Sequence, residues 1–139
     1  MLDCGAAKVV ALESVPEIYQ RLKPLCDDRL IGLQTALSDS EGRASLTLSK
    51  SHNQGSSLKQ EMRNLFPSVF SASTESIEVE LTTIDDLVKK HGAFDVWKLD
   101  IEGAEVDALA GATTLSKTSL HDPSSSSCTI LFVTHSMWQ

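Results

Sequence analysis

The sequence has no cluster of basic residues; Lys89 and Lys90 are its only adjacent cationic pair. With 12 Lys and Arg against 19 Asp and Glu, the formal charge is −7. That balance disfavours a nucleic-acid partner, whose binding depends on grouped cations that release counterions from phosphates. Cysteine is equally sparse: Cys4, Cys26 and Cys128 are far apart, odd in number and without Cys-x-x-Cys spacing. This argues against a disulfide framework or a structural zinc site and for reduced thiols in an intracellular compartment. No apolar run approaches the roughly 20 residues that cross a bilayer. The N-terminus lacks the basic stretch and apolar core of a secretory signal, so a cytoplasmic location is expected. There is no internal repeat. His52, His91, His121 and His135 are scattered, without the partners of a nucleophilic triad, and His91 reads as a helix-end charge.

What is present is an ordinary globular composition: 139 residues, 41% hydrophobic and 22% charged. A chain of this length suits one domain, burying roughly 70% of its unfolded surface. The most informative stretch is Phe94 to Gly111. Val96, Trp97, Leu99 and Ile101 read as a strand buried on both faces, interrupted by Lys98. Asp100, Glu102 and Gly103 mark its end, and Ala104 to Ala110 have the small, aliphatic composition of a helix packed on a sheet. In open α/β sheets ligands bind beyond the carboxyl ends of the strands, so Asp100 and Glu102 stand at a candidate site. Lys98, in an apolar strand, needs a counter-charge or an exit to solvent, and Asp100 or Glu102 can supply the charge.

Leu2 to Ala7 reads as a strand end running into a glycine turn, followed at once by the β-branched Lys8 to Glu13. Neighbouring parallel strands need a crossover of a dozen or more residues. None is present, so either the two pieces are one strand or a connecting segment has been lost. Ser14 is placed to cap a helix with Pro16 in its first turn and Ile18, Leu22 and Leu25 on one face. Leu30 to Leu37 reads as the next strand, weakened by Gly32, and Ser38 to Gly42 as a turn. Ala44, Leu46 and Leu48 then alternate with outward Ser45 and Thr47, and Ile77, Val79 and Leu81 with Glu78 and Glu80, as in half-exposed antiparallel partners. The excursion between them, Ser49 to Ser76, reads as a lid or a disordered loop. Within it Ser57 is placed to cap a short helix carrying Leu58, Met62, Leu65 and Phe66. Thr83 to Gly92 is a helix with a Thr cap, an acidic first turn, a basic last turn and a glycine stop. A Ser-rich loop, Ser116 to Ser127, and a strand, Thr129 to Thr134, close the chain. Strands alternating with helices indicate an α/β fold with a largely parallel sheet and an inserted antiparallel hairpin.

Several motifs carry a resemblance. They are Val10-Ala11-Leu12-Glu13 with Pro16; Ala36-Leu37-Ser38-Asp39 with Gly42; Gly55-Ser56-Ser57-Leu58; Thr83-Ile84-Asp85-Asp86-Leu87; and Lys98-Leu99-Asp100-Ile101-Glu102-Gly103-Ala104-Glu105 with Leu109 and Gly111. In order and spacing the sequence is similar to FkbM-type methyltransferases, S-adenosylmethionine-dependent enzymes of Rossmann-like fold that mostly methylate hydroxyl oxygens. The resemblance implies one such domain over residues 1–139, acting on a small-molecule or sugar hydroxyl, with S-adenosylmethionine as cofactor. It assigns Glu13 to the cofactor ribose, Asp3 and Gly5 to the methionine moiety, and Ala36, Leu37 and Ser38 to the wall around the adenine. Asp100 is then the acceptor-side base or orienting group, with Glu102 second and Lys98 their partner.

Each assignment has a plainer counterpart. Glu13 can be a surface acid before a helix, Asp3 and Gly5 a frayed terminus, Ala36 to Ser38 simple core, and Lys98 with Asp100 a structural ion pair. Glu105 is expected to cap its helix, and Ser56 and Ser57 either contact substrate or cap. Two carboxylates without further ligands make no metal site. The family's first strand ends in an Asp-x-Gly-Ala-Asn-x-Gly loop followed by a helix. Here Asp3, Cys4, Gly5 and Ala6 keep only its beginning, so the domain is expected to be truncated at the first cofactor loop and at the last strands. A non-catalytic remnant or interaction module is the alternative outcome.

Overall fold

The computed structural model describes residues 5–49, 56–57, 74–101, 103–113 and 128–134. The chain runs through β1 (Lys8–Glu13), α1 (Pro16–Leu22) with a 3₁₀ turn (Lys23–Leu25), β2 (Leu30–Leu33), β3 (Ala36–Leu37), β4 (Gly42–Ser49), β5 (Ser56–Ser57) and β6 (Thr74–Thr82). It continues through α2 (Ile84–His91), β7 (Val96–Asp100), α3 (Glu105–Ala110) and β8 (Thr129–Thr134). One sheet has the order β2-β1-β8-β7 with every neighbouring pair parallel. A second, mixed sheet has the order β3-β6-β4-β5, built on an antiparallel β4/β6 pair. The fold is therefore α/β with a parallel sheet and an antiparallel hairpin, as the alternation of elements implies.

The parallel sheet is organised around β1, whose residues Val9 to Glu13 are all buried. Side chains alternate between the faces of a strand. Val10, Leu12, Leu131 and Val133 face one side, packed with Ile84 and Leu87 of α2 and with Ala104 and Ala108 at α3. Val9, Ala11 and Phe132 face the other, against Leu22 and Tyr19 of α1. Each such aliphatic side chain contributes about 1.5–3 kcal/mol when fully buried. A third cluster, Val15, Ala36, Leu46 and Val79, joins the start of α1 to the second sheet.

Several local features depart from the sequence reading for identifiable reasons. Val15, not Ser14, is the N-cap of α1; Ser14 is buried, and the Val15 N–H donates to Glu13 Oε1 at 2.8 Å. Leu25 ends the 3₁₀ turn but is 63% exposed, off the packed face. Leu30 to Leu37 is two strands in different sheets, broken at Gln34-Thr35, where the Thr35 hydroxyl donates to the Glu80 carbonyl at 3.0 Å. Gly32 serves packing: a Cβ there would lie 2.6 Å from Cys26 Sγ. Thr47 is buried rather than outward, and Ser57 pairs with Thr47 in a strand instead of capping a helix. The strand Val96–Asp100 is not buried on both faces. Among the described residues it ends its sheet, and Val96 is 49% exposed. The short helix expected at Leu58 to Phe66 and the loop Ser116 to Ser127 lie outside the described residues.

At the junction before β1, Gly5 takes a turn conformation at φ +92°, which favours glycine. Ala7 and Lys8 both donate backbone N–H groups to the Cys128 carbonyl. Arg29, at the start of β2, donates to the carbonyls of Ala6 at 2.7 Å and Ala7 at 3.4 Å. Residues 5–7 are thus a tied lead-in to β1. The α2 helix forms as its sequence dictates. Thr83 Oγ1 accepts from the Asp86 N–H at 3.1 Å, and Gly92 closes it at φ +87° with its N–H on the Val88 carbonyl.

Candidate functional site

The carboxyl ends of the parallel strands form one edge. Glu13 is in register with Thr134, and Thr134 with Asp100. Strands lie about 4.8 Å apart, so the backbones of Glu13 and Asp100 stand about 10 Å from each other. Registered residues of parallel strands share a face. Glu13 and Asp100 therefore belong to the α1 face, with Phe132 and Lys98 two residues back along their strands.

Lys98 Nζ donates to Asp100 Oδ2 at 3.0 Å, and both side chains are nearly half exposed. The same ammonium lies 5.2 Å from the centre of the Phe132 ring, close enough for a cation–π contact. Lys98 thus has both a counter-charge and an exit to solvent. Exposed pairs contribute about 0–1 kcal/mol to stability, so its main effect is to orient the Asp100 carboxylate.

The turn after β7 is held from the helix that follows it. Glu105 Oε2 accepts the Gly103 N–H at 2.9 Å and Oε1 the Ile101 N–H at 3.3 Å, with Gly103 at φ +95°. The expected capping by Glu105 is therefore directed backwards, onto the turn. At the far end of α3 a Cβ on Gly111 would lie 2.5 Å from the Ser38 carbonyl oxygen and 3.2 Å from Asp39 Cα. That close approach docks α3 on the end of β3, where the Ser38 N–H donates to the Thr82 carbonyl.

Ala36 and Leu37 are completely buried, and of that trio Ser38 alone is partly accessible. Glu13 is 1% exposed, so a ligand reaches its carboxylate only by displacing what covers it. Gly5 precedes β1 and stands at the amino edge of the sheet, about 20 Å from Glu13 for six residues of strand. The structure thus brings Glu13, Asp100 and Lys98 to one edge, and it places Gly5 at the other. Asp3 and Glu102 lie outside the described residues. Among the described residues no group of three or more His, Cys, Asp or Glu is arranged to hold a metal ion, and no helix is long and apolar enough to cross a membrane.

Two cavities open beside the ends of β1 and β2. One of about 460 Å³ is bordered by Ser14, Gln34, Arg43, Glu78 and Glu80. The other, about 380 Å³, shares Gln34 and Glu80 and extends to Lys90 and His91. Arg43 bridges Glu78 at 3.6 Å and Glu80 at 3.8 Å. Sequence reading missed Gln34 and Glu80 as cavity residues. The strand-end rule would have found Gln34, two positions short of Ala36, had the break after β2 been foreseen. Burial holds the His91 imidazole below its usual pKa, helped by Lys8 and Lys90. The last-turn charge of α2 at neutral pH therefore belongs to Lys89 and Lys90, a correction to the reading of His91 as a helix-end charge.

A family model described as a methyltransferase FkbM domain matches residues 2–133. No curated protein and no solved structure matches the chain.

Proposed function

The chain belongs to the FkbM methyltransferase family, and we propose that it transfers a methyl group from S-adenosylmethionine to a hydroxyl oxygen of a small molecule or sugar. The observation that carries this reading is the alignment of Glu13 and Asp100 on one face of the carboxyl edge of the parallel sheet. The residues present fit the nucleoside half of the cofactor: a carboxylate whose oxygens can accept from two ribose hydroxyls, and a cavity of about 460 Å³ beside it at Ser14. They do not fit its methionine half, because Gly5 stands at the opposite edge.

In this reading Glu13 holds the ribose, and Ser38, rather than the buried Ala36 and Leu37, is the adenine-side residue whose side chain reaches the ligand. The bound cofactor supplies an electrophilic methyl group. Asp100 accepts the proton of the acceptor hydroxyl as its oxygen is alkylated, while Lys98 and the turn clamped by Glu105 keep that carboxylate aimed. Glu102 is the second acceptor-side carboxylate. Replacing Asp100 by Asn is expected to lower turnover by about 100-fold or more, the scale of a lost general base, while cofactor affinity stays within about twofold. Unchanged turnover would remove Asp100 from the site.

The position of Gly5 favours a second reading, a family member that retains the nucleoside pocket without completing the transfer site. Mass spectrometry of reaction mixtures decides between the two, since only the first yields methylated acceptor and S-adenosylhomocysteine together.

A further inference from the structure

The two helical connections of the parallel sheet have opposite hands. In the order β2-β1-β8-β7, with all strands parallel, β1 to β2 and β7 to β8 are steps in the same direction. The first step is made by α1, which packs on the face of Val9 and Ala11. The described part of the second is α3, which packs through Ala108 on the opposite face, with Val10 and Leu12. Equal direction from opposite faces reverses the hand, and about 98% of such connections are right-handed. In the doubly wound order 3-2-1-4-5, β2, β1 and β7 take places 3, 2 and 4. The connection β1–α1–β2 is then the regular one. β8 stands in place 1, whereas a right-handed step from β7 through α3 would carry it to the outer side of β7.

The slot nevertheless holds a strand firmly. β8 pairs with β1 from Thr129 to Thr134 and with β7 from Ile130 to Thr134, and Leu131, Phe132 and Val133 are buried there. The pairing rewards the occupant, while the single-chain connection to it has the disfavoured hand. A strand donated by another molecule makes every one of these contacts without that connection. We propose that the chain dimerises by reciprocal exchange of β8, the β8 of each copy filling the slot between β1 and β7 of the other. Domain swapping is a low-cost route to a dimer. The 14 residues from 114 to 127 that separate α3's exit from β8 span up to about 46 Å when extended, enough to cross between copies. This inference goes beyond the methyl-transfer reading, and neither cofactor nor turnover enters its test.

Val96 and Ile130 are in register on adjacent strands, within the usual Cα separation of a disulfide. One tagged chain carrying Val96→Cys is co-expressed with a differently tagged chain carrying Ile130→Cys, then oxidised, and the crosslink is mapped by peptide mass spectrometry to distinguish it from Cys26 or Cys128. Exchange predicts a covalent heterodimer joined at positions 96 and 130. It also predicts that the unsubstituted chain elutes with twice its 15.1 kDa mass. A chain carrying both substitutions that crosslinks only within itself, or a mass of one chain at every concentration, overturns the proposal.

Discussion

Glu13 is the residue on which the functional account depends. It is almost completely buried, ends the central β-branched strand, and accepts the Val15 N–H that opens α1. Glu13→Gln keeps the shape and one acceptor oxygen, so the fold is expected to persist. The charge that strengthens bonds from ribose hydroxyls is lost, and hydrogen bonds to charged groups contribute about 1.5–3 kcal/mol. Cofactor affinity should fall by about 10-fold to 100-fold with the melting temperature nearly unchanged; equal affinity in titration calorimetry would take Glu13 out of the pocket. His91 gives a prediction of a different kind. Its folded pKa lies below the usual 6.5 because burial penalises the imidazolium. The unfolded chain therefore binds the proton more readily, so this contribution to stability is present above pH 6.5 and is lost as pH falls below it toward the lowered value. Urea titrations across this range should show His91→Gln flattening that part of the profile; an identical profile in the variant would contradict the assignment.

At the scale of elements, α3 links the two ends of the candidate site. Its first residue, Glu105, clamps the turn beyond Asp100, and its closing glycine lies against Ser38 and Asp39. Because the obstructing atoms are backbone, Gly111→Ala must push α3 outward. Overpacking of this kind costs about 1–3 kcal/mol, which thermal melts of the variant should show as a drop of several degrees; an unchanged melting temperature would mean that α3 does not dock there. These elements were unequally legible in the sequence. The α2 helix could be read outright, since Thr83, Asp86 and Gly92 act locally and the structure uses each as its chemistry suggests. Glu105 was legible as a capping residue but not in its direction. The division of Leu30 to Leu37 between two sheets was not legible, because it depends on Thr35 meeting Glu80, 45 residues away. Nor was the burial of Thr47, which follows from its cross-strand neighbours rather than from its own polarity.

At the scale of the molecule, an α/β fold with a parallel sheet followed from the order of strands and helices. The order of strands within that sheet did not. The missing crossover before Lys8 is visible in the sequence, but its consequence is visible only in three dimensions. Gly5 to Ala7 become a lead-in tied by Arg29, and β8 takes the place beside β1. The carboxyl edge keeps its acids at Glu13 and Asp100, while the glycine turn of the would-be first cofactor loop lies at the other edge. The molecule as a whole therefore has the nucleoside side and the acceptor side of a methyl-transfer site, and binding is the step on which any activity rests. Titration calorimetry of the full chain with S-adenosylmethionine tests this most directly. The account predicts saturable binding near one cofactor per chain. The absence of any heat of binding at millimolar cofactor would contradict it.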